Sequence, residues 1–125
     1  MTSQLKLKNL LLDLGDRKDL KLLELPSDLE RFSKDFFNYS PILTKRLKNC
    51  SAHLVVRPHS IEAVIAVSSS CQRHNIPLTL RGAGTGNYGQ CVPLKGGVVM
   101  LMSDLRKIRD VNPETGEVVV EAGCL

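Results

Sequence analysis

The segment from residue 76 to residue 90 reads IPLTLRGAGTGNYGQ, and it joins a short apolar strand pattern to a glycine-rich loop. Six of the nine glycines of the chain lie between Gly82 and Gly97. Glycine at alternate positions, here 82, 84 and 86, allows successive backbone N–H groups to converge on an anion without a Cβ atom in the way. Ordinary turns need one or two glycines, whereas this loop has four in eight residues. The pattern therefore favours a phosphate-binding loop over a flexible connection.

Three side chains add to this prediction. Arg81 supplies a positive charge where the loop begins, which suits a phosphate or pyrophosphate ligand. Thr85 and Asn87 add side-chain hydrogen-bonding groups, and Asn87 also tolerates left-handed backbone. We expect the ligand to be held mainly by backbone amides.

Other phosphate-binding loops do not fit. Gly84, Gly86 and Gly89 satisfy the GxGxxG spacing, but the loop of a Rossmann fold must open a helix. Pro93 and the pair at 96–97 exclude a helix of useful length here. A Walker A loop needs Gly-Lys-Ser/Thr after the glycines, and a kinase needs a longer chain with a VAIK-like strand. The residues alone therefore predict an anion site without naming its ligand.

A β–α–β pattern precedes the loop. Residues 54–56 form a short apolar strand pattern that Pro58 ends. Ser60 predicts the N-cap of a helix whose apolar residues recur at helical spacing up to residue 71, with Asn75 as a C-cap before Pro77. Residues 78–80 form the second strand pattern. A helix between two short strands predicts a parallel pair with a right-handed crossover.

The flanking regions complete an α+β fold. The leucine-rich residues up to 25 predict one or two short amphipathic helices broken at Gly15, and a membrane-surface helix is the weaker alternative because four acidic side chains interrupt the stretch. Ser27 or Asp28 is expected to cap another short helix running toward Phe36. Residues 98–102 predict a strand, and residues 106–111 and 117–121 predict a hairpin. We therefore expect a helical lead-in over residues 1–50 and a second unit over residues 51–125.

Composition limits the function. The 125 residues include 42% hydrophobic and 24% charged residues, which is ordinary globular usage. The longest apolar run has five residues, so no membrane span is predicted, and no secretory signal or transit peptide is recognised. The net charge of +4 is spread along the chain and aromatic residues make up only 4%, which argues against nucleic-acid binding.

Cysteine spacing gives no metal or redox motif. The four cysteines lie 20 or more residues apart and none forms a CxxC pair. We expect free thiols in a reducing cytoplasm and no metal site.

Five ordered pieces of the sequence resemble the FAD-binding domain of the vanillyl-alcohol-oxidase or PCMH type, in its branch of FAD-linked 2-hydroxy-acid oxidases and dehydrogenases. They lie within residues 32–41, 55–64 (VVRPHSIEAV), 76–86 (IPLTLRGAGTG), 93–99 (PLKGGVV) and 121–123 (EAG). The resemblance covers residues 31–125, about three quarters of the chain.

The resemblance implies an FAD site at the loop. Backbone amides would wrap the pyrophosphate, Arg81 would anchor the loop, Gln90 would lie close to the cofactor, and Pro58 would end the strand beside it. The implied cofactor-binding residues are Pro58, Arg81, Gly82, Ala83, Gly84, Thr85, Gly86, Asn87 and Gln90. Thr85 stands where some members attach flavin covalently through histidine, so the resemblance implies non-covalent FAD.

The resemblance also implies what these 125 residues lack. In the family a hydride passes from the α-carbon of a 2-hydroxy acid to flavin while a base takes the hydroxyl proton. The base, the substrate-binding arginines and the cap domain lie in later segments, so the sequence assigns no catalytic residue and a truncated domain is expected. A partner polypeptide could supply the cap, docking on the leucine-rich N-terminus. The alternative is a standalone nucleotide- or phosphate-binding module without catalysis.

Overall fold

The computed structural model describes residues 2–36 and 39–125, which form an α+β fold as predicted. Four helices and six strands are present in these ranges. In chain order they are α1 (Ser3–Leu14), β1 (Leu20–Leu23), α2 (Pro26–Phe32), α3 (Pro41–Leu47), β2 (Leu54–Pro58), α4 (Ile61–Arg73), β3 (Leu78–Arg81), β4 (Val98–Leu101), β5 (Ile108–Asn112) and β6 (Glu117–Val120).

The main sheet has the strand order β1-β2-β4-β3. Strands β2 and β3 both run parallel to β4, and β1 pairs with β2 in the antiparallel direction. The sequence predicted β2 and β3 as a neighbouring pair, which is wrong in one respect, because β4 lies between them. All four residues of β4 are apolar and buried, because a strand pairs with each of its edges and helices cover the sheet.

The second half of the leucine-rich region is a strand, which corrects the prediction of a second helix. Helix α1 ends at Gly15, as predicted, and the Gly15 N–H donates to the Leu11 carbonyl oxygen. Residues 20–23 then pair with residues 55–58 of β2. Apolar residues in so short a run fit either structure, and pairing with β2 decides between them.

Helix boundaries near residue 26 also differ from prediction. Helix α2 begins at Pro26, with Leu25 at the N-cap position, so Ser27 and Asp28 lie inside its first turn, and the helix ends at Phe32. Helix α3 was not predicted. Its Ser40 side chain accepts a hydrogen bond from the Leu43 N–H, and Pro41 opens the helix, so the Ser-Pro pair was an available signal.

Helix α4 and the β5–β6 hairpin are confirmed. The Ser60 hydroxyl oxygen accepts a hydrogen bond of 3.0 Å from the Ala63 N–H, which is the predicted cap. At the other end the C-cap residue is His74, which corrects the prediction of Asn75, and Asn75 follows it with a positive φ of 50°. The hairpin pairs Val111 with Val118 and turns through Gly116.

Helices cover both faces of the main sheet. On one face, α1 and α4 pack on β2 and β4 through Leu10, Leu14, Val56, Val67 and Met100. On the other face, the apolar side of α2 packs on residues of β2 and β4 through Leu29 and Phe32. None of the described helices is long and apolar enough to cross a membrane.

Candidate functional site

Arg81 ends β3, and its side chain folds back beneath the glycine loop. The residue is only 8% exposed. Its Nη1 atom donates a hydrogen bond of 2.6 Å to the carbonyl oxygen of Lys34, and the guanidinium lies 5.9 Å from the centre of the Phe32 ring. A methyl group on Gly84 would overlap the guanidinium, and the φ of Gly84 is +71°, so glycine is required there. Arg81 therefore supports the loop from its inner side.

The backbone amides of the loop are available to a ligand. The N–H groups of residues 83–87 donate to no acceptor within residues 2–36 and 39–125. The side chains of Thr85 and Asn87 are exposed and have no polar partner in the same ranges. No carboxylate pairs with the buried Arg81 in the described part of the chain. Five adjacent N–H groups beside a buried cation form a site whose charge suits a phosphate.

Gln90 lies at the far end of the loop and closes it. Its Oε1 atom accepts a hydrogen bond of 3.1 Å from the Tyr88 N–H. A Cβ atom on Gly86 would lie 2.5 Å from the same oxygen, so the side chain packs directly against the loop backbone. Gln90 is itself exposed, and its contact with a cofactor remains a prediction.

Asp35, which was not among the predicted site residues, contacts the loop as well. Its Oδ2 atom accepts a hydrogen bond of 2.7 Å from the Gly89 N–H, and its Oδ1 atom accepts one of 3.1 Å from the Cys91 N–H. The Asp35 N–H donates to the Tyr39 hydroxyl oxygen at 2.8 Å. The two contacts with residues 89 and 91 join positions more than 50 apart, which no local pattern reveals.

Pro58 stands apart from the other predicted site residues. It is fully buried at the end of β2, opposite Leu20 of β1. Because β4 separates β2 from β3, Pro58 and Arg81 lie at the same carboxyl edge of the sheet but on strands that do not touch. The structure therefore brings together residues 81–90, and Pro58 shares only their edge.

A charged cluster occupies that edge near Pro58. The Nδ1 atom of His59 lies 3.0 Å from Oδ2 of Asp104, and Nε of Arg57 lies 4.0 Å from the same oxygen. The buried Nε of Arg57 has no hydrogen-bond partner in the described structure. Sequence reasoning missed this cluster, although Arg57 and His59 lie at the end of β2 and Asp104 comes three residues after β4. The carboxyl edge of parallel strands is where α/β proteins place ligands, so its position was the available signal.

The pKa is raised for two thiols, those of Cys91 beside the loop and Cys71 on α4. All four cysteines carry free thiols. Burial, followed by the nearby Asp35 carboxylate, raises the pKa of Cys91 above its ordinary value, so its thiol is protonated at neutral pH. Burial likewise raises the pKa of Cys71 to about 11. In residues 2–36 and 39–125 no group of three or more His, Cys, Asp or Glu side chains could hold a metal ion.

A cavity of about 750 Å³ lies between α2 and α3. Among the described residues its lining includes Leu29, Lys34, Asp35, Tyr39 and Lys48. None of residues 82–90 lines it, although Asp35, which does, contacts the end of the glycine loop.

Comparison with known proteins agrees with the geometry of the loop. The family described as FAD binding domain matches residues 52–125. The glycolate oxidase subunit GlcD of Escherichia coli K12 is 40% identical over 70 residues, which are 56% of this chain and 14% of that protein. The probable mitochondrial D-lactate dehydrogenase of Danio rerio is 34% identical over 70 residues, with the same coverage of 56% and 14%.

A solved structure shows the same fold. The structure of p-cresol methylhydroxylase with substrate bound has a TM-score of 0.70 and 20% identity, over 97% of this chain and 22% of that one. The chain spans about a seventh of the length of the two curated relatives. Free loop amides and a buried guanidinium fit the diphosphate of FAD, and the match covers more than half of the sequence. The chain therefore belongs to the PCMH-type FAD-binding domain family, whose cofactor is FAD.

Proposed function

We propose that this chain forms the diphosphate-binding part of a non-covalent FAD site in an oxidoreductase that oxidises a 2-hydroxy acid. One observation carries the proposal: the N–H groups of residues 83–87 have no acceptor in the described chain, and the loop packs at Gly84 on the guanidinium of Arg81, a residue that is 8% exposed and has no carboxylate partner there. Backbone N–H groups and a buried positive charge together favour a doubly charged ligand over water.

The roles of the chain's residues follow from their positions. Residues 82–87 form the diphosphate site, in which the N–H groups of residues 83–87 bind the ligand. Arg81 fixes the loop from beneath, and Gln90 closes it. Pro58 ends β2 at the same edge of the sheet, and its ring fixes the backbone conformation there. Thr85 stands where the resemblance places the histidine of covalent members, so the contacts of this chain with the cofactor are non-covalent. FAD, when bound, supplies the acceptor for the hydride removed from the substrate.

The substrate class is proposed from the names of the relatives. Glycolate and D-lactate, which appear in those names, are both 2-hydroxy acids. We propose that the substrate-binding groups come from outside these 125 residues, either on the same polypeptide or on a partner. We also propose a cytoplasmic location, which the free thiols support.

The test is a titration of the purified chain with FAD, ADP and riboflavin, followed by flavin fluorescence or equilibrium dialysis. We expect FAD and ADP to bind and riboflavin, which lacks phosphate, to bind at least tenfold more weakly. Arg81→Met should weaken FAD binding about tenfold or more, the size of one lost charged contact. Arg46→Met removes the same charge from an exposed position on α3 and should change nothing.

The outcomes separate the candidate functions. Binding of ADP without FAD would favour the standalone nucleotide-binding module. No binding of either ligand would contradict the proposal. The mass of the protein after denaturation tests attachment, since non-covalent FAD leaves the mass of the chain unchanged.

A further inference from the structure

Three consecutive residues of the lead-in contact the glycine loop at three separate points. The Lys34 carbonyl oxygen accepts from Arg81, where the loop begins. The Phe36 N–H donates to the Gly84 carbonyl oxygen at 2.9 Å, in the middle of the loop. The Asp35 carboxylate accepts from residues 89 and 91, where the loop ends. We call residues 34–36 the loop clip.

Asp35 makes two of these contacts, at the end of the loop. It is 9% exposed, and each of its carboxylate oxygens accepts one backbone N–H at 2.7 or 3.1 Å. Hydrogen bonds to an ionised acceptor are about twice as strong as neutral ones. The Tyr39 hydroxyl group accepts from the Asp35 N–H and so fixes the backbone that carries this carboxylate.

The carboxylate divides the loop amides into two sets. The N–H groups of Gly89 and Cys91 are occupied by Asp35, whereas those of residues 83–87 have no acceptor in the described chain. A carboxylate repels a phosphate, so Asp35 is unsuited to be a ligand of FAD. Its contacts restrain the end of the loop opposite to Arg81 instead.

We propose that Asp35 is a positioning residue for cofactor binding, which holds the glycine loop in the conformation that presents residues 83–87 to the diphosphate. This inference rests on the proposed function. It places an essential part of the cofactor site in the lead-in, outside the residues 52–125 that match the FAD-binding family. Residues 34–36 thus belong functionally with the loop, although the sequence predicted a separate lead-in over residues 1–50.

The test compares Asp35→Asn with two controls. In Asp35→Asn one oxygen becomes an NH₂ group that faces a backbone N–H, so one of the two contacts is lost. Glu30→Gln removes the same charge from an exposed residue whose one ion pair within the described residues is with the Lys34 side chain. Val67→Ala opens the core between α4 and the sheet, and it reports what a general loss of stability does.

Two measurements on each variant decide the matter. Hydrogen exchange followed by NMR should be at least tenfold faster at residue 89 or 91 in Asp35→Asn and unchanged there in Glu30→Gln. The Kd for FAD and the Kd for inorganic pyrophosphate should both rise about tenfold in Asp35→Asn. Val67→Ala should lower the Tm and leave both Kd values unchanged at temperatures well below the Tm.

Each outcome is informative. If wild-type protein binds neither FAD nor pyrophosphate, the proposed function fails, while the exchange rates still show whether Asp35 holds the loop. If ligands bind but Asp35→Asn has wild-type Kd values, Asp35 is not a positioning residue. If exchange at residues 89 and 91 does not change, the contacts do not restrain the loop and the inference is wrong. Should Asp35→Asn fail to fold, Tyr39→Phe, which loses only the hydroxyl contact, should raise both Kd values by a smaller factor, and unchanged values would overturn the inference.

Discussion

Strands β4 and β6 have similar sequences and opposite surroundings. The first reads VVML and the second EVVV, and both pair as four-residue strands. Every residue of β4 is buried, because β2 and β3 flank it and helices cover the sheet. In β6, by contrast, Val118, Val119 and Val120 are 55%, 56% and 48% exposed, and β5 is its one partner in the described residues.

The difference shows that valine content predicts a strand without predicting burial. β-branched residues favour extended backbone wherever they occur, but their burial depends on which distant segments pack against them. The same residue type should therefore contribute very differently to stability in the two strands. Two predictions test this comparison, and a third, smaller one concerns a polar contact elsewhere in the fold.

The largest effect is expected from alanine at the glycine that precedes β4. Gly97 has a φ of +79°, and a methyl group there would overlap the carbonyl oxygen of Pro77, which accepts the Val98 N–H. Gly97→Ala combines backbone strain with displacement of this contact between β3 and β4. The free energy of unfolding should therefore fall by about 3–4 kcal/mol. Gly116→Ala in the hairpin has a similar φ of +73° and open space, and should cost only about 1 kcal/mol. Urea denaturation measures both, and equal losses would contradict the comparison.

The same valine truncation in the two strands should give the second-largest effect. Val99 is fully buried in β4, so Val99→Ala loses buried methyl groups and leaves a cavity. The free energy of unfolding should fall by about 2–3 kcal/mol. Val119→Ala in β6 should stay within about 0.5 kcal/mol of wild type. Thermal unfolding followed by circular dichroism checks the pair. A large loss at Val119 would mean that the hairpin is covered in solution.

The smallest effect concerns a polar contact that joins β1 to α4. Asp19 accepts hydrogen bonds from Arg17 and from the Ser60 hydroxyl group, and these lower the pKa of Asp19 from 3.8 to about 2. Since the pKa is lower in the folded state, the ionised carboxylate stabilises the fold above about pH 4. This contribution disappears as the pH falls toward 2.

Asp19→Asn is the matched variant. The Tm of the wild type should fall more than the Tm of Asp19→Asn between pH 5 and pH 2. Asp28→Asn, on α2, should follow the wild type across the same range. Parallel acid profiles of wild type and Asp19→Asn would refute the role of this contact.

Local sequence patterns predicted those parts of the fold that depend on residues close together in the chain. The Ser60 cap, the hairpin turn at residues 112–116 and the glycine loop all follow from residue types at short spacing. The strand at residues 20–23 and the central position of β4 depend on pairing with distant strands, and the sequence misassigned both.

The site divides in the same way. The loop residues were predictable because glycine spacing is a local pattern, and Arg81 directly precedes the loop. Asp35 and the His59–Asp104 pair were not, since each brings together residues that are more than 40 positions apart. Pro58 was predicted from the resemblance, and its contact with a cofactor remains a prediction.

The most direct test of the account is an amide map of the loop. Uniformly ¹⁵N-labelled protein is titrated with FAD and, separately, with inorganic pyrophosphate, and ¹H–¹⁵N spectra are recorded. The account predicts that both ligands shift the amides of residues 83–87 most strongly, with smaller changes at Gly89 and Cys91, whose N–H groups Asp35 already binds. Unchanged loop amides at ligand saturation, or shifts confined to another surface, would contradict the assignment of this loop as the diphosphate site.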